Sequence, residues 1–182
     1  MDVFSGGGGK PALYDDLANQ IDGLLAGETD RTANLANAAA AIYHALPALN
    51  WAGFYLWRDA GLGRDAGLGH DAKLGREAEL VLGPFQGKPA CVRIPLGRGV
   101  CGTAALRRRS VLVPDVHAFP GHIACDSASQ SELVVPLLRD ETLIGVLDLD
   151  SPLLARFDAQ DQAGCEALMA VIVRHLGRAP PA

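Results

Sequence analysis

Two apolar runs separated by three charged residues constrain the fold of this 182-residue chain more than any other feature. Residues 133–138 read LVVPLL, residues 142–150 read TLIGVLDLD, and Arg139-Asp140-Glu141 lie between them. Apolar runs of this length with so short a polar connection predict two antiparallel strands joined by a tight hairpin. The C-terminal half of the chain is therefore expected to contribute at least two neighbouring strands to a β-sheet.

Shorter apolar runs predict four more strands, at 50–57, 80–82, 91–94 and 111–113. Gly83-Pro84 is expected to end the second of these, since proline cannot donate to a β-ladder. Side chains two residues apart share a face of a strand, so Trp51 and Tyr55 lie on one side of the first. That face is either core or the wall of an apolar pocket.

Helical spacing of apolar residues predicts helices over 13–26 and 31–46, a short helix after Gly97, and a final helix to Leu176. Asp158 is the expected N-cap of the final helix, with Asp161 three positions on. The element order is helix, helix, three strands, short helix, three strands, helix. Successive strands joined by hairpins predict an α+β domain with a mainly antiparallel sheet covered by helices.

The domain boundaries follow from composition. With 49% hydrophobic residues, the chain is long enough for one domain with a sizeable core, predicted over 13–177. Residues 1–12 and 178–182 are expected to be flexible ends. An insert at 58–77 contains the copies RDAGLG, RDAGLG and HDAKLG, followed by REAEL. So few copies bury too little to form a solenoid, which favours a flexible hairpin loop between two strands.

Charge and hydropathy exclude several functional classes. The net charge of −5 leaves no basic footprint for nucleic acid or for an anionic membrane surface. No apolar run approaches the ~20 residues of a membrane helix, and the first residues do not resemble a secretory signal. A cytoplasmic location is expected, where thiols are normally reduced.

Four cysteines, at 91, 101, 125 and 165, lack any CxxC pair, which is poor spacing for structural zinc. Cys165 falls on the apolar stripe of the final helix and is most simply a core residue. Cys125 lies in the polar stretch Gly121–Glu132, which places a cysteine, a histidine and two carboxylates within twelve residues. From the residues alone, this stretch is either an ordinary surface loop or a reactive loop held by a rigid scaffold.

Asp148 and Asp150 stand two residues apart in an otherwise apolar strand and so share one face. Burying unpaired carboxylates is costly. The two acids are therefore expected either at an exposed sheet edge or around a bound cation.

Four segments together closely resemble the free methionine-(R)-sulfoxide reductases, which are stand-alone GAF domains. They read NWAGFYL, LGPFQGKPACVRIPLGRGVCGTA, DVHAFPGHIACDSASQSELVVPL and IGVLDLDSP. The similarity runs from about Tyr14 to Leu176 and is broken only by the repeat insert. It implies a GAF-like sheet of about six antiparallel strands flanked by helices. It also implies reduction of the R-sulfoxide of free methionine, with thioredoxin as the reductant and no metal, nucleotide or flavin cofactor.

The resemblance also implies a set of site residues. The family's redox cysteines fall on Cys91, Cys101 and Cys125, with Cys125 expected to attack the sulfoxide and Cys91 to resolve the sulfenic acid. The resemblance leaves open whether Cys101 is a secondary shuttle or the attacking thiol. Trp51 would pack on the substrate's methyl group, with Tyr55 beside it in the pocket. The family's acidic cluster falls on Glu132, Asp148 and Asp150. A homodimer is expected by analogy with other GAF domains.

The competing hypothesis is a GAF-type sensor module that binds a small effector in the same pocket. A sensor is normally joined to an output domain, and it needs neither three cysteines nor three acids. An acidic cluster would also repel an anionic cyclic nucleotide. These features favour an enzyme.

Overall fold

The computed structural model describes residues 9–58, 78–123 and 126–177. These residues form four α-helices, six strands and one 3₁₀ turn. In chain order they are α1 (Gly9–Leu25), α2 (Arg31–Ala45), β1 (Trp51–Arg58), β2 (Glu79–Gly87), β3 (Arg93–Pro95), α3 (Gly99–Arg107), β4 (Val111–Val113), the 3₁₀ turn (Val116–Ala118), β5 (Ser131–Arg139), β6 (Thr142–Ser151) and α4 (Ala159–His175).

The six strands make one antiparallel sheet in the order β3-β2-β1-β6-β5-β4. The predicted hairpin joins β5 to β6, with Arg139 paired to Thr142. Its two turn residues, Asp140 and Glu141, have φ of 46° and 64°. Positive φ at both central residues is the geometry of a tight turn that follows the twist of the strands. The predicted α+β class with a mainly antiparallel sheet flanked by helices is confirmed.

The two faces of the sheet are covered differently. Helices α1, α2 and α4 pack on one face, over apolar side chains that include Phe54, Leu133 and Leu147. The short helix α3 packs on the other face, over Tyr55, Val134 and Val146. Because side chains alternate along a strand, neighbouring residues of β1, β5 and β6 serve opposite faces. The α3 face is the less completely covered one.

Strand β2 does not end at Gly83-Pro84, so that prediction was wrong. Gly53 pairs with Phe85 and Tyr55 with Leu82, which leaves two residues of β2 opposite one residue of β1. This is a β-bulge, where the ladder is interrupted and the missing N–H of proline is tolerated. The next strand is shorter than predicted, because β3 begins at Arg93 and Cys91 precedes it.

Helix α1 begins at Gly9, so the predicted flexible start was wrong for residues 9–12. Lys10 Nζ lies 2.8 Å from Asp158 and 2.5 Å from Asp161, which ties the start of α1 to α4. Pro11 is tolerated because the first turn of a helix has no partner for its N–H groups. The expectations for residues 1–8, 59–77 and 178–182 lie outside the described residues.

Helix α4 starts as predicted. The Asp158 carboxylate accepts from the backbone N–H groups of Gln160 and Asp161, and the Asp161 carboxylate accepts from Asp158 N at 2.9 Å. This reciprocal capping box fixes the helix start. Cys165 is fully buried on the inner stripe of α4, as expected of a core residue. Among the helices of the described ranges, none has the length and hydrophobicity to cross a membrane.

Candidate active site

A pocket opens on the α3 face of the sheet. Its base is formed by β1, β5 and β6, and its walls by residues 88–90, the start of α3, and residues 122, 123, 126 and 129. It encloses about 540 Å³ of empty space, including the part that is open to solvent.

One wall of the pocket is a stack of aromatic rings. The Trp51 ring lies 5.8 Å from the Tyr55 ring and 5.4 Å from the Phe85 ring, close to parallel with both. Trp51 Nε1 donates to the Lys88 carbonyl at 3.1 Å, and the Tyr55 hydroxyl donates to the Cys91 carbonyl at 3.0 Å. A Cβ on Gly53 would collide with Trp51 and Phe85, so the absence of a side chain there lets the ring lie against the strand. The stack is therefore held rigidly.

Beside this wall lie three carboxyl groups on β5 and β6. Glu132 pairs with Asp150 across the strands, and Asp148 lies two residues from Asp150 on the same face. Glu132 is 5% exposed and Asp148 7%, and Asp150 is half-buried. Strand β6 is central in the sheet, so the predicted exposed edge was wrong. The alternative of a cation-binding role remains.

Burial is the main cause that raises the pKa of each of these carboxyl groups, and repulsion within the cluster raises it further. Asp148 Oδ1 is buried and has no hydrogen-bond partner among the described residues. Because an unpaired buried oxygen costs free energy, the cluster is better suited to a positively charged ligand than to an empty pocket.

Cys101 contributes a thiol from α3 to the same cluster. The residue is 3% exposed, and its Sγ lies 4.0 Å from Glu132 Oε1. Burial raises the pKa of this thiol, and the negative charges of Asp148 and Glu132 raise it further. The sulfur and one oxygen from each of these carboxyl groups lie within 4.8 Å of one another, a set of donors that could hold a metal ion. Cys101, Glu132 and Asp148 are called the pocket cluster below.

Contacts in and beside the pocket were missed by the sequence reasoning. His122 Nε2 lies 3.5 Å from Glu132 Oε2, and burial lowers the pKa of the ring. Asn50 Nδ2 donates to Ser129 Oγ at 3.0 Å and to Asp126 at 3.2 Å. The sequence did show a high density of polar residues in 121–132 and directly before β1. It could not show which of them contact each other, because the partners are distant in sequence.

The remaining cysteines divide by location. Cys91 is half-buried, and Cys165 lies on the other face of the sheet. Cys91, Cys101 and Cys165 are all free thiols. Cys125 lies outside the described residues. Its neighbour Asp126 lies 3.1 Å from Lys88 Nζ, in the segment that leads to Cys91. This ion pair joins the two chain segments that precede Cys91 and follow Cys125.

Comparison with known proteins agrees with this fold and pocket. The GAF domain matches residues 29–179. The free methionine-R-sulfoxide reductase of Escherichia coli is 47% identical over 92% of this chain and 90% of its own. This chain belongs to the free methionine-R-sulfoxide reductase family of GAF domains. The resemblance predicted from its four motifs is thereby confirmed.

Two further free methionine-R-sulfoxide reductases show how broad the similarity is. The protein of Saccharomyces cerevisiae is 39% identical over 90% of this chain and 85% of its own. The X-ray structure of the Neisseria meningitidis protein, in complex with its substrate, has 44% identity and a TM-score of 0.79. That match covers 94% of this chain and 92% of the other. The family's fold thus extends over nearly all of the chain.

Proposed function

We propose that this protein is an oxidoreductase that reduces free L-methionine (R)-sulfoxide to L-methionine. The observation that carries the proposal is one pocket that combines a rigid aromatic wall with a buried carboxyl cluster beside it. Relatives named for this activity share the fold over nine-tenths of the chain.

The two sides of the pocket match the two ends of the substrate. A free amino acid carries an α-ammonium group, which the carboxyl groups of Glu132, Asp148 and Asp150 bind. The unpartnered Asp148 oxygen supplies an acceptor for one of its N–H groups. Trp51 packs against the methyl group at the other end. A methionine inside a peptide lacks the ammonium, so the pocket selects the free amino acid.

The chemistry uses thiols on a polarised sulfoxide. The Cys125 thiolate attacks the sulfoxide sulfur, while the carboxyl cluster polarises the S–O bond through hydrogen bonds. The oxygen passes to the cysteine as a sulfenic acid, and methionine leaves. The Cys91 thiol then attacks that sulfur, forming a disulfide and releasing the oxygen as water. Thioredoxin returns both sulfurs to thiols by exchange, and its own dithiol is oxidised in turn.

Two observations support this order of events. The pKa of Cys101 is raised by burial and by neighbouring carboxylates, which disfavours the thiolate needed for attack. The Lys88–Asp126 ion pair links the segments next to Cys91 and Cys125, as a disulfide between them requires. A reducing cytoplasm would supply the thioredoxin, and a homodimer remains an analogy with other GAF domains.

A thioredoxin-coupled NADPH assay with separated isomers of free methionine sulfoxide tests the activity. We expect turnover of the R isomer and at most traces with the S isomer. The Cys165→Ser variant is the matched control, because that thiol lies on the opposite face of the sheet. Binding of methionine sulfoxide without any turnover would instead support the sensor hypothesis.

Single-turnover release of methionine tests the assignment of the thiols. Cys125→Ser removes the nucleophile and should release none. Cys91→Ser should release about one equivalent per enzyme and then stall as the sulfenic acid, unless Cys101 rescues it. A full equivalent from Cys125→Ser together with none from Cys101→Ser would move the nucleophile to Cys101.

A further inference from the structure

The pocket cluster has a composition that binding an ammonium group does not require. Carboxyl oxygens alone can accept hydrogen bonds from an ammonium, yet here a buried thiol lies 4.0 Å from one of them. Sulfur is a weak acceptor for such a group but a strong ligand for zinc. The thiol therefore widens the range of cations that this pocket can bind.

We propose that the reduced pocket binds one zinc-class divalent cation through Cys101, Glu132 and Asp148, and that this cation excludes the substrate. The cation is an inhibitor in this proposal and takes no part in catalysis. The binding itself is independent of the proposed function, and only the competition with methionine sulfoxide rests on it.

The geometry is close to what such an ion needs. The three ligand atoms lie within 4.8 Å of one another. Ligand atoms around a tetrahedral zinc are roughly 3.4–3.6 Å apart, as its bond lengths to sulfur and oxygen dictate. Side-chain rotations that move the ligand atoms by about 1 Å would bring them to these distances. His122 Nε2 lies 3.5 Å from the second Glu132 oxygen but outside this set of three, so its ring would have to move to become a fourth ligand.

A second observation points independently to a missing ligand. Asp148 is 7% exposed and lines the pocket, yet its Oδ1 has no partner among the residues that the structure describes. A buried carboxylate oxygen normally has a hydrogen bond, an ion pair or a metal. Asp148, Cys101 and Glu132 all line the same pocket.

The set of donors selects the class of metal. One sulfur, two carboxylates and an imidazole suit Zn²⁺, Co²⁺ or Cd²⁺, which accept four mixed ligands. Ca²⁺ requires six to eight oxygens, and Mg²⁺ requires near-octahedral oxygen ligands, so both should bind poorly. Because the same carboxyl groups would hold the substrate ammonium, cation and substrate cannot occupy them together.

Cobalt(II) is a suitable probe, because a cysteine–cobalt bond gives a near-ultraviolet charge-transfer absorption. The reduced full-length protein would be titrated without oxygen, first with Co²⁺ and then with Zn²⁺. We expect one equivalent of Co²⁺ to bind with that band, Zn²⁺ to displace it, and Mg²⁺ to leave it unchanged. In the Cys125→Ser variant, which should not turn the substrate over, free methionine sulfoxide should weaken the apparent affinity for the metal.

Variants locate the ion. Cys101→Ser should lose the charge-transfer band, and Asp148→Asn should lower the affinity about tenfold or more, as loss of a ligand interaction does. Cys91→Ser, Cys125→Ser and Cys165→Ser should keep the band. Circular dichroism and melting temperature establish that each variant is folded.

Two results would overturn the site. One is the absence of a charge-transfer band in the wild-type protein. The other is a band that survives Cys101→Ser but disappears in Cys91→Ser or Cys125→Ser, since the ion would then lie on the other thiols. A protein that reduces methionine sulfoxide but gives no band refutes the metal site alone. A protein that gives the band but has no reductase activity refutes the proposed function alone.

Discussion

Two buried clusters on opposite faces of the sheet contain the same kinds of residue. The pocket cluster has a cysteine and two acids under α3. The helix-side cluster, between α1 and α4, has a cysteine, an acid, a tyrosine and an arginine: Cys165, Asp161, Tyr14 and Arg156. Asp161 has no solvent exposure and Asp148 has 7%, so the two acids are buried to nearly the same extent.

Their partners differ. Asp161 accepts from the Tyr14 hydroxyl at 2.9 Å and from Arg156 at 3.1 Å, and it forms an ion pair with Lys10. Asp148 faces other acids and a thiol, and one of its oxygens has no partner in the described part of the chain. A buried charge contributes to folding when its counter-charge is inside the protein. A buried acid without one is suited to a cation that arrives from outside.

The largest effect should come from removing the positive charge of the substrate. N-acetyl-methionine (R)-sulfoxide has no ammonium, so its binding would leave the carboxyl groups desolvated and unpaired. We expect kcat/KM about 10⁴-fold below that of the free amino acid, as for other sites whose buried polar groups lose their partner. Comparable values in the coupled assay would show that the pocket cluster does not recognise the ammonium.

Removing one acid from each cluster should have different effects: loss of Asp161 should lower stability, and loss of Asp148 should lower activity. Asp161→Ala removes the buried carboxylate that Arg156 and Lys10 share, and we expect a loss of about 3–5 kcal/mol in the free energy of unfolding. Asp148→Asn replaces a carboxyl group that has no counter-charge among the described residues, so the change in unfolding free energy should stay within about 1 kcal/mol, while kcat/KM falls about 10²-fold or more. Urea denaturation and steady-state kinetics measure the two quantities. A large loss of stability in Asp148→Asn would contradict the distinction between the clusters.

Two glycines offer a matched test of packing on the two faces. A Cβ on Gly53 would collide with the pocket's aromatic stack, and a Cβ on Gly164 would collide with the Tyr14 ring. Each change to alanine should cost about 1–3 kcal/mol of stability through overpacking. We expect Gly53→Ala also to raise KM, since it displaces Trp51, and Gly164→Ala to leave KM unchanged. Equal effects on KM would mean that the position of Trp51 does not matter.

The smallest effect is expected from shortening the repeat insert. Arg58 pairs with Glu79, so the strands on either side are already in register for a short turn. We expect an Asn-Gly turn in place of residues 59–78 to leave kcat/KM unchanged, because loop length enters stability at only about 0.6 kcal/mol per doubling. A folded product with most of its activity lost would make the insert part of the site.

Local chemistry made much of the fold predictable. The Asp158 capping box and the hairpin at Arg139–Thr142 depend on residues within four positions of each other, and both were predicted correctly. Strand order depends on contacts such as Trp51 with Asp150, which no local pattern reveals. For that reason the sequence analysis allowed β6 to be an edge strand, although it lies at the centre of the sheet. The bulge that accommodates Pro84 was missed because it requires the partner strand.

The site shows the same division. The resemblance supplied the identities of Trp51, Glu132, Asp148 and the cysteines, and the structure gathers all of these that it describes in or beside one pocket. Contacts that join separate loops, such as His122 with Glu132 and Asn50 with Ser129, were not predicted. Their geometry depends on how the sheet brings distant segments together.

The β1–β2 ladder has a consequence for how this gene can vary. Trp51 lies at the pocket end of β1, and Arg58 lies at the far end, roughly 20 Å away at the rise of a strand. Copies of the six-residue unit added or lost beyond Arg58 and Glu79 change no strand pairing. If the insert is dispensable, as expected above, repeat slippage there alters the length of the protein in whole units without affecting the chemistry. Copy number at this position is thus expected to drift among close relatives and to serve as a marker of their recent divergence.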